Sequence, residues 1–356
     1  MGDAPEPVPT FVLNRGVYSS PGERVFPKGL EAVFPWDASL PQNRLGLARW
    51  LFDPKHPLTA RVFVNRMWQM HFGRGLVETS EDFGSQGAIP THPELLDWLA
   101  LQFVESGWDV KALHRLIATS AAYKQSSNAS DELLARDARN ALYARGPRWR
   151  MTAEMVRDNA LAASGLLAAR VGGASVKPYQ PDGIWNPLNS FYQYPVPESL
   201  PADDLHRRTL YSFVKRNATH PALKIFDFTN RTESIARRRS SNTPLQALEL
   251  MNDPQYVEAY RSLAAEALRQ SADEDAQLAR LYRQATRTTP RAEHIAVLRD
   301  FYREQRAAYA GNDAKIAGVL DVGVVPADPT LERTALAALT NVAALVMSSP
   351  DAYTVR

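Results

Sequence analysis

The sequence predicts a mostly α, multi-helical protein with a small β component. Three observations carry this. From Arg44 onward apolar residues recur at helical spacing. Thr, Asp, Pro and Gly stand where helix starts and stops require them. Only two stretches read as strands: residues 11–17, and "RRTLYSFVKR" at 207–216.

The elements follow in order. Residues 1–43 are rich in proline and read as an extended arm lying on the body, with one short strand and a turn at Ser20-Pro21-Gly22. "RLGLARWLF" is a short helix stopped by "DPKHP". Thr59 is placed to cap the next helix, which runs to Phe72. Its two stripes (Phe63, Met67, Met70; Val64, Trp68, Phe72) predict burial on both sides, and Gly73 fits the left-handed closing position. "THPE" at 91–94 reads as a capping box, with Thr91 the cap and Glu94 reaching back. The helix it opens ends at Gly107, and Asp109 caps the next, giving a helical hairpin. Residues 151–170 read as a helix opened by Thr152. Residues 171–201 are rich in Gly, Pro and aromatics and read as irregular. "NTPLQALELMND" starts a helix with Thr243 as cap, Pro244 first and Gln246 third. Three more helices are expected near 273–286, 290–309 and 329–348, with a loop at 311–326. The expected organisation is an arm at 1–43, a helical core at 44–270 holding an irregular and β insert at 171–235, and a C-terminal helical module at 271–356 packed on that core.

Composition narrows the function classes. The chain's 356 residues are 45% hydrophobic, enough for a substantial core. With 41 Lys+Arg against 39 Asp+Glu the net charge is +2, so bulk attraction to nucleic acid is not expected. The absence of cysteine excludes disulfides, thiolate zinc, iron–sulfur clusters and a C-x-x-C-H haem attachment. No run of 18 apolar residues is present, so no membrane span is expected. The start, "MGDAPEPVPT", has no export signal and reads as a cut made inside a longer protein.

Two stretches concentrate chemistry. "NRMWQMHFGRGL" holds Trp68, His71 and Arg74. It reads first as a capped, buried helix end. The seven histidines (56, 71, 92, 114, 206, 220, 294) form no H-x-x-x-H, H-E-x-x-H or H-x-H pair, so no metal site is expected unless distant residues assemble one. Trp68, His71, Arg74, Glu81 and His92 are kept as a candidate pocket. "RRRSSNTPLQ" runs three arginines into a helix start. Free amides, the positive dipole end and guanidinium forks make Arg237, Arg238, Arg239, Ser241, Asn242 and Thr243 a candidate anion site, which Arg231, Lys215 and Arg216 could extend. The plainer alternative is a basic loop pairing with Asp227 or Glu233. The aromatic stretches "KPYQPDGIW" and "NSFYQYPVP" read as packing more readily than as a glycan groove. There is no G-x-S-x-G elbow and no P-loop. "EDFG" at 81–84 stands alone, and Asn128, Asn217 and Asn230 head N-x-S/T triplets of the kind chance supplies.

The stretch "NRLGLARWLFDPKHPLTARVFVNRMWQMHFGRGLVETSEDFGSQGAIPTHPELLDWLALQFVESGWDVKALHRLIATSAAYKQSS" resembles the planctomycete-specific domain, a domain of unknown function. The resemblance continues through "RRTLYSFVKR", "RRRSSNTPLQALELMNDP" and "VMSSPDAYTVR". Its motif stretches are Asn65, Arg66, Trp68, His71, Phe72, Gly73 and Gly75, then 93–98, then 238–246. "QATRTTPRAEH" departs from the family's usual turn. The resemblance implies an exported, periplasmic or extracellular bacterial protein in which this domain follows other domains, often one of cytochrome c type. It supplies no catalytic residues, and any haem belongs to modules upstream. The expected role is therefore non-catalytic: binding or scaffolding, with an anionic or glycan ligand or a partner domain. The alternatives are a polysaccharide hydrolase, for which Glu78, Glu81, Asp82, His71 and His92 are the residues to test, and a flat apolar surface that docks a cytochrome c-type domain.

Overall fold

The computed structural model describes residues 8–181, 183, 194, 195 and 197–355. Helices take 49% of the chain and strands 6%, so the protein is mostly α. It divides into two compact units, 1–147 and 148–356.

In the first unit β1 (Thr10–Leu13) pairs antiparallel with β2 (Pro21–Val25), and every residue of both strands is exposed. The expected strand ends early because Arg15 and Gly16 are both left-handed (φ 50° and 73°) and reverse the chain. Pro21 and Gly22, expected in the turn, open β2 instead. The arm is held further on. Gly29 lies so close to the Trp50 indole that a Cβ would approach it to 2.4 Å, and Trp50 Nε1 donates to the carbonyls of Phe34 (3.0 Å) and Pro35 (3.2 Å).

Asn43 caps α1 (Arg44–Leu51) by accepting from the Gly46 amide at 3.0 Å. In α2 (Thr59–Phe72) the expected cap, Thr59, is the first helical residue. His56 does the capping, its Nδ1 lying 3.3 Å from the Leu58 and Thr59 amides. Only the stripe Val64, Trp68 and Phe72 is buried. Phe63 and Met67 are half-buried, and Met70 is 60% exposed. Gly73 closes the helix at φ 74°. The capping box at α3 (Pro93–Glu105) does not form, because the Thr91 amide and hydroxyl turn back to the Leu76 carbonyl (2.9 and 3.4 Å) and His92 takes the cap position. Gly107 and Trp108, both left-handed, make the hairpin turn into α4 (Val110–Thr119), and Asp109 caps the Ala112 amide at 2.9 Å. The short α5 (Asp131–Arg136) follows. One buried amide organises this unit: Asn65, 0% exposed, donates to the Val77 carbonyl (3.0 Å) and accepts from the Val77 amide (2.8 Å). It thereby pins the chain that leaves α2.

The second unit is framed by a two-residue sheet of β3 (Trp149–Arg150) and β4 (Thr354–Val355). Its helices are α6 (Ala153–Ala163), α7 (Ala202–Leu205), α8 (Pro221–Ile225), α9 (Pro244–Asn252), α10 (Pro254–Gln270), α11 (Glu274–Thr286), α12 (Ala292–Tyr309), α13 (Asp313–Leu320), α14 (Arg333–Met347) and α15 (Pro350–Tyr353). Thr152 caps α6 as expected, but the helix stops at Ala163, where Gly165 turns left-handed. The helix started by Thr243 ends at Asn252. Asp253 then caps a new one, α10, with Pro254 at its first position. The expected loop at 311–326 contains α13, capped by Asn312.

α10 lies at the centre. Tyr256, Ala259, Tyr260, Leu263, Ala264 and Ala267 are all buried, and the helix packs on α6, α9, α11 and α14. Facing alanines on α10 and α14 let the two backbones come close. α11–α15 thus share a core with α6 and α10.

The expected strand at 207–216 is irregular, with a 3-10 turn at Thr209–Tyr211 and isolated bridges from Arg207 to Ala168 and from Ser212 to Val176. Side chains have taken the backbone groups a strand would use. Arg157, 1% exposed, donates to the carbonyls of Leu205 (2.6 Å) and Arg207 (2.7 Å), and the Thr209 amide donates to Asp158 (2.7 Å). A second junction centres on Glu258, 0% exposed. It accepts from His206 Nε2 (2.8 Å), the Tyr179 hydroxyl (3.2 Å) and the Val325 amide (2.7 Å). Gly323 (φ 84°) is required beside it, because a Cβ there would lie 2.5 Å from its carboxylate.

Removing one partner from a buried charged group strands the others, so Glu258→Ala is expected to lower unfolding free energy by about 3–5 kcal/mol. Asn65→Ala leaves two buried backbone groups unpaired and should lose about 2–3 kcal/mol. Urea unfolding measures both, and a loss below about 1 kcal/mol would contradict the roles given to these side chains.

Candidate functional site

The candidate pocket of the first unit divides in two. Trp68 stacks on Phe72 (centroids 4.3 Å apart), and both meet Tyr143 edge-on, at 5.2 and 5.1 Å. His92 approaches the same ring at 5.6 Å, and the Tyr143 hydroxyl donates to the Gly75 carbonyl at 3.0 Å. Burial pushes that phenol up to about 12. His71 points elsewhere. Its Nε2 lies 2.9 Å from His114 Nδ1, and its ring meets Tyr123. Burial, with the His114 charge adding, holds His71 below the usual imidazole range. Arg74 binds Glu78 (2.9 Å), which also binds Arg139 (3.1 Å). Asp82 accepts from the Gly84 amide of its own turn, and Glu81 is exposed. Of the carboxylates named for a hydrolase, Glu78 is thus bound to two arginines and Asp82 to its own turn. Among the described residues no group of three or more His, Cys, Asp or Glu is arranged to hold a metal.

The arginine run of the second unit has an anion waiting for it. Asp227, left-handed at φ 61°, accepts from the Ser241 amide (2.8 Å), the Ser241 hydroxyl (2.9 Å) and Arg150 (2.6 Å). The Thr243 amide donates to Gln246 Oε1 at 3.3 Å. The helix start is thus capped from within the chain. Arg238 forms a fork with Glu154 of α6 (2.6 and 2.9 Å). Burial alone would raise the Glu154 carboxyl, yet its bonds from Arg238 hold it below its usual value. Arg231 and Arg238 lie over the Phe228 ring (5.4 and 5.5 Å) and Arg150 over Phe226 (5.5 Å). Arg237, Arg239 and Asn242 are exposed.

Of the aromatic stretches at 177–197, residues 182, 184–193 and 196 lie outside the described residues. The described part packs. Besides binding Glu258, the Tyr179 hydroxyl accepts from the Val324 amide (2.9 Å), and the Tyr194 hydroxyl donates to the Pro178 carbonyl.

Two further groups carry perturbed acidity and were not singled out in the sequence. Burial, with the Arg157 charge adding, holds His220 at about 4. At the α9–α10 junction the carboxyls of Glu249 and Asp253 are both shifted toward the protonated form. Burial first, then the Asp253 charge, pushes Glu249 up to about 7, and burial raises Asp253 as well. The i, i+4 spacing of this pair was readable. Its burial, set by α10, was not.

These features define a helical module whose buried charged groups Arg157, Arg207, Glu258 and Arg261 bind its own irregular segments. The profile of a family described as "PSD1: Protein of unknown function (DUF1553)" matches residues 43–302, and the chain belongs to that family. The match includes the motif stretches at 65–75, 93–98 and 238–246. Comparison with curated proteins gives no match, and comparison with solved structures gives none either.

Glu249 sets a pH dependence. Its folded-state value lies above the ordinary 4.5, so between about 4.5 and 7 the folded protein holds a proton that the unfolded chain has lost. Stability in that window should fall as pH rises. Urea unfolding at about pH 5 and about pH 8 should show a smaller loss in Glu249→Gln than in the wild type; equal losses would disprove the raised Glu249 value.

Proposed function

We propose that the chain is a non-catalytic binding or scaffolding module of a larger exported bacterial protein, and that its arginine-rich face meets an anionic ligand, whether a charged glycan or an acidic partner domain. One observation carries the reading. Arg150, Arg231 and Arg238 are braced on Phe226 and Phe228, Arg238 bound by Glu154 and Arg150 by Asp227, with Arg237 and Arg239 exposed beside Arg238 in the chain. A chain of net charge +2 therefore concentrates arginine in one segment. The bonds of Arg238 and Ser241 to Glu154 and Asp227 make them positioning residues, and the exposed Arg231 and Arg239 are placed to touch the ligand. Export, and a cytochrome c-type domain as neighbour, belong to the same proposal and rest on the family resemblance. Among the described residues no helix is long and apolar enough to cross a membrane.

A hydrolytic reading is favoured by one feature, the Glu249–Asp253 pair, because a carboxyl ionising near 7 suits general acid work.

A thermal-shift series with inorganic sulfate, a sulfated oligosaccharide and its neutral parent tests the binding reading. The sulfated sugar should raise the melting temperature, and the effect should shrink with added salt. The double variant Arg231→Ala/Arg239→Ala should lose the effect while its own melting temperature barely moves. An equal shift with the neutral sugar, or a shift that survives the double substitution, would defeat the proposal.

A further inference from the structure

Two histidines distant in the chain meet in the first unit. His71 lies in the last turn of α2 and His114 in the middle of α4. His71 Nε2 stands 2.9 Å from His114 Nδ1, and the ring centroids are 5.1 Å apart. One core fixes the helices that carry them: Trp68 and Phe72 of α2 and Leu113 and Ile117 of α4 are buried in the same apolar cluster. The Tyr123 ring packs edge-on against His71 at 5.2 Å. Both histidines are half-buried, so each keeps part of its surface toward solvent. A pair set on two packed helices is better positioned than one set on loops.

Two imidazole nitrogens at this separation admit two chemistries. In the hydrogen bond, one ring donates its proton to the other. In the second, that proton moves to the other nitrogen of the ring that carries it. Both lone pairs are then free to bind one cation, and both rings stay neutral, as a metal requires. Nitrogens about 2.0–2.1 Å from one ion lie about 2.9 Å apart when the angle at the ion is a right angle, and about 3.3 Å apart at the tetrahedral angle. The observed separation is that of the right angle. A tetragonal ion thus enters with this distance kept, and only the rings need to turn. Imidazole suits Cu²⁺, Ni²⁺ and Zn²⁺; tetragonal coordination marks Cu²⁺ and Ni²⁺, and Cu²⁺ binds most tightly of the series. Mg²⁺ and Ca²⁺ take oxygen ligands and have no claim on the pair. Among the described residues no third histidine or carboxylate joins the two in a metal-holding group, so water fills the remaining positions.

We propose that His71 and His114 form a two-imidazole site for a divalent transition cation, Cu²⁺ above the others, which bridges α2 and α4. The site belongs to the first unit and does not depend on the arginine segment.

The test uses the full chain without a polyhistidine tag, titrated with Cu²⁺ and separately with Mg²⁺, and read by calorimetry and electron paramagnetic resonance. One Cu²⁺ per chain should bind saturably below about 100 μM, with imidazole nitrogens in its spectrum, and Mg²⁺ should not bind. Glutamine keeps a hydrogen-bonding group but lacks the imidazole nitrogen, so His71→Gln and His114→Gln separate chelation from the hydrogen bond. Each should weaken Cu²⁺ binding about 100-fold, since even groups behind the ligands are worth about 10- to 100-fold at metal sites. His294→Gln, in the second unit, should bind as the wild type does. Melting curves check that the variants fold. No saturable Cu²⁺ binding, unchanged affinity in both folded variants, or a spectrum without imidazole nitrogen would each overturn the proposal and leave the pair a hydrogen bond alone.

Discussion

A carboxylate cut off from water organises the second unit. Glu258 sits on α10 with no exposed surface, where an unpaired charge could not persist. Its partners come from three places distant in sequence: Tyr179, His206 and the amide of Val325. One turn further along, Arg261 holds the carbonyls of Leu320, Val322 and Val325, and Arg157 on the neighbouring α6 holds those of Leu205 and Arg207. The irregular segments are thus tied down by buried side chains instead of by a sheet. Few strands are needed because the helices supply the partners that a ladder would have supplied.

The same habit shapes the surface. Where three arginines run into a helix start, an external anion and a carboxylate of the chain itself are equal expectations. The chain places Asp227 and Glu154 there. Such pairs fix geometry more than they add stability. They hold two arginines in place over aromatic rings and leave their neighbours outward. The candidate anion site is therefore not an open helix end but a braced basic face.

In the first unit the organising group is neutral. Asn65 bonds both backbone groups of Val77 and so turns the chain leaving Gly73 back beneath the Trp68–Phe72–Tyr143 cluster. His71, the residue in that stretch most suggestive of metal chemistry, meets His114, 43 positions along the chain. No local spacing could have announced that pair.

Local signals in the sequence determined what local physics controls. Gly73 and Gly107 end their helices, Asp109 and Thr152 begin theirs, and the apolar stripe Val64–Trp68–Phe72 is buried, because each depends on residues within a turn or two. The mostly α class and the family resemblance were legible for the same reason: both rest on contiguous patterns. Tertiary structure decided the rest. Thr91 gave up its cap to bond Leu76, and His56 took over from Thr59. Residues 207–216 lost their strand to Arg157 and Asp158. In each case a partner far along the chain competed for a group that local pattern had already assigned, and burial gave the distant partner the advantage. The candidate sites followed suit: the arginines were visible in sequence, but Glu154, 84 residues from Arg238, became visible only once the helices had packed.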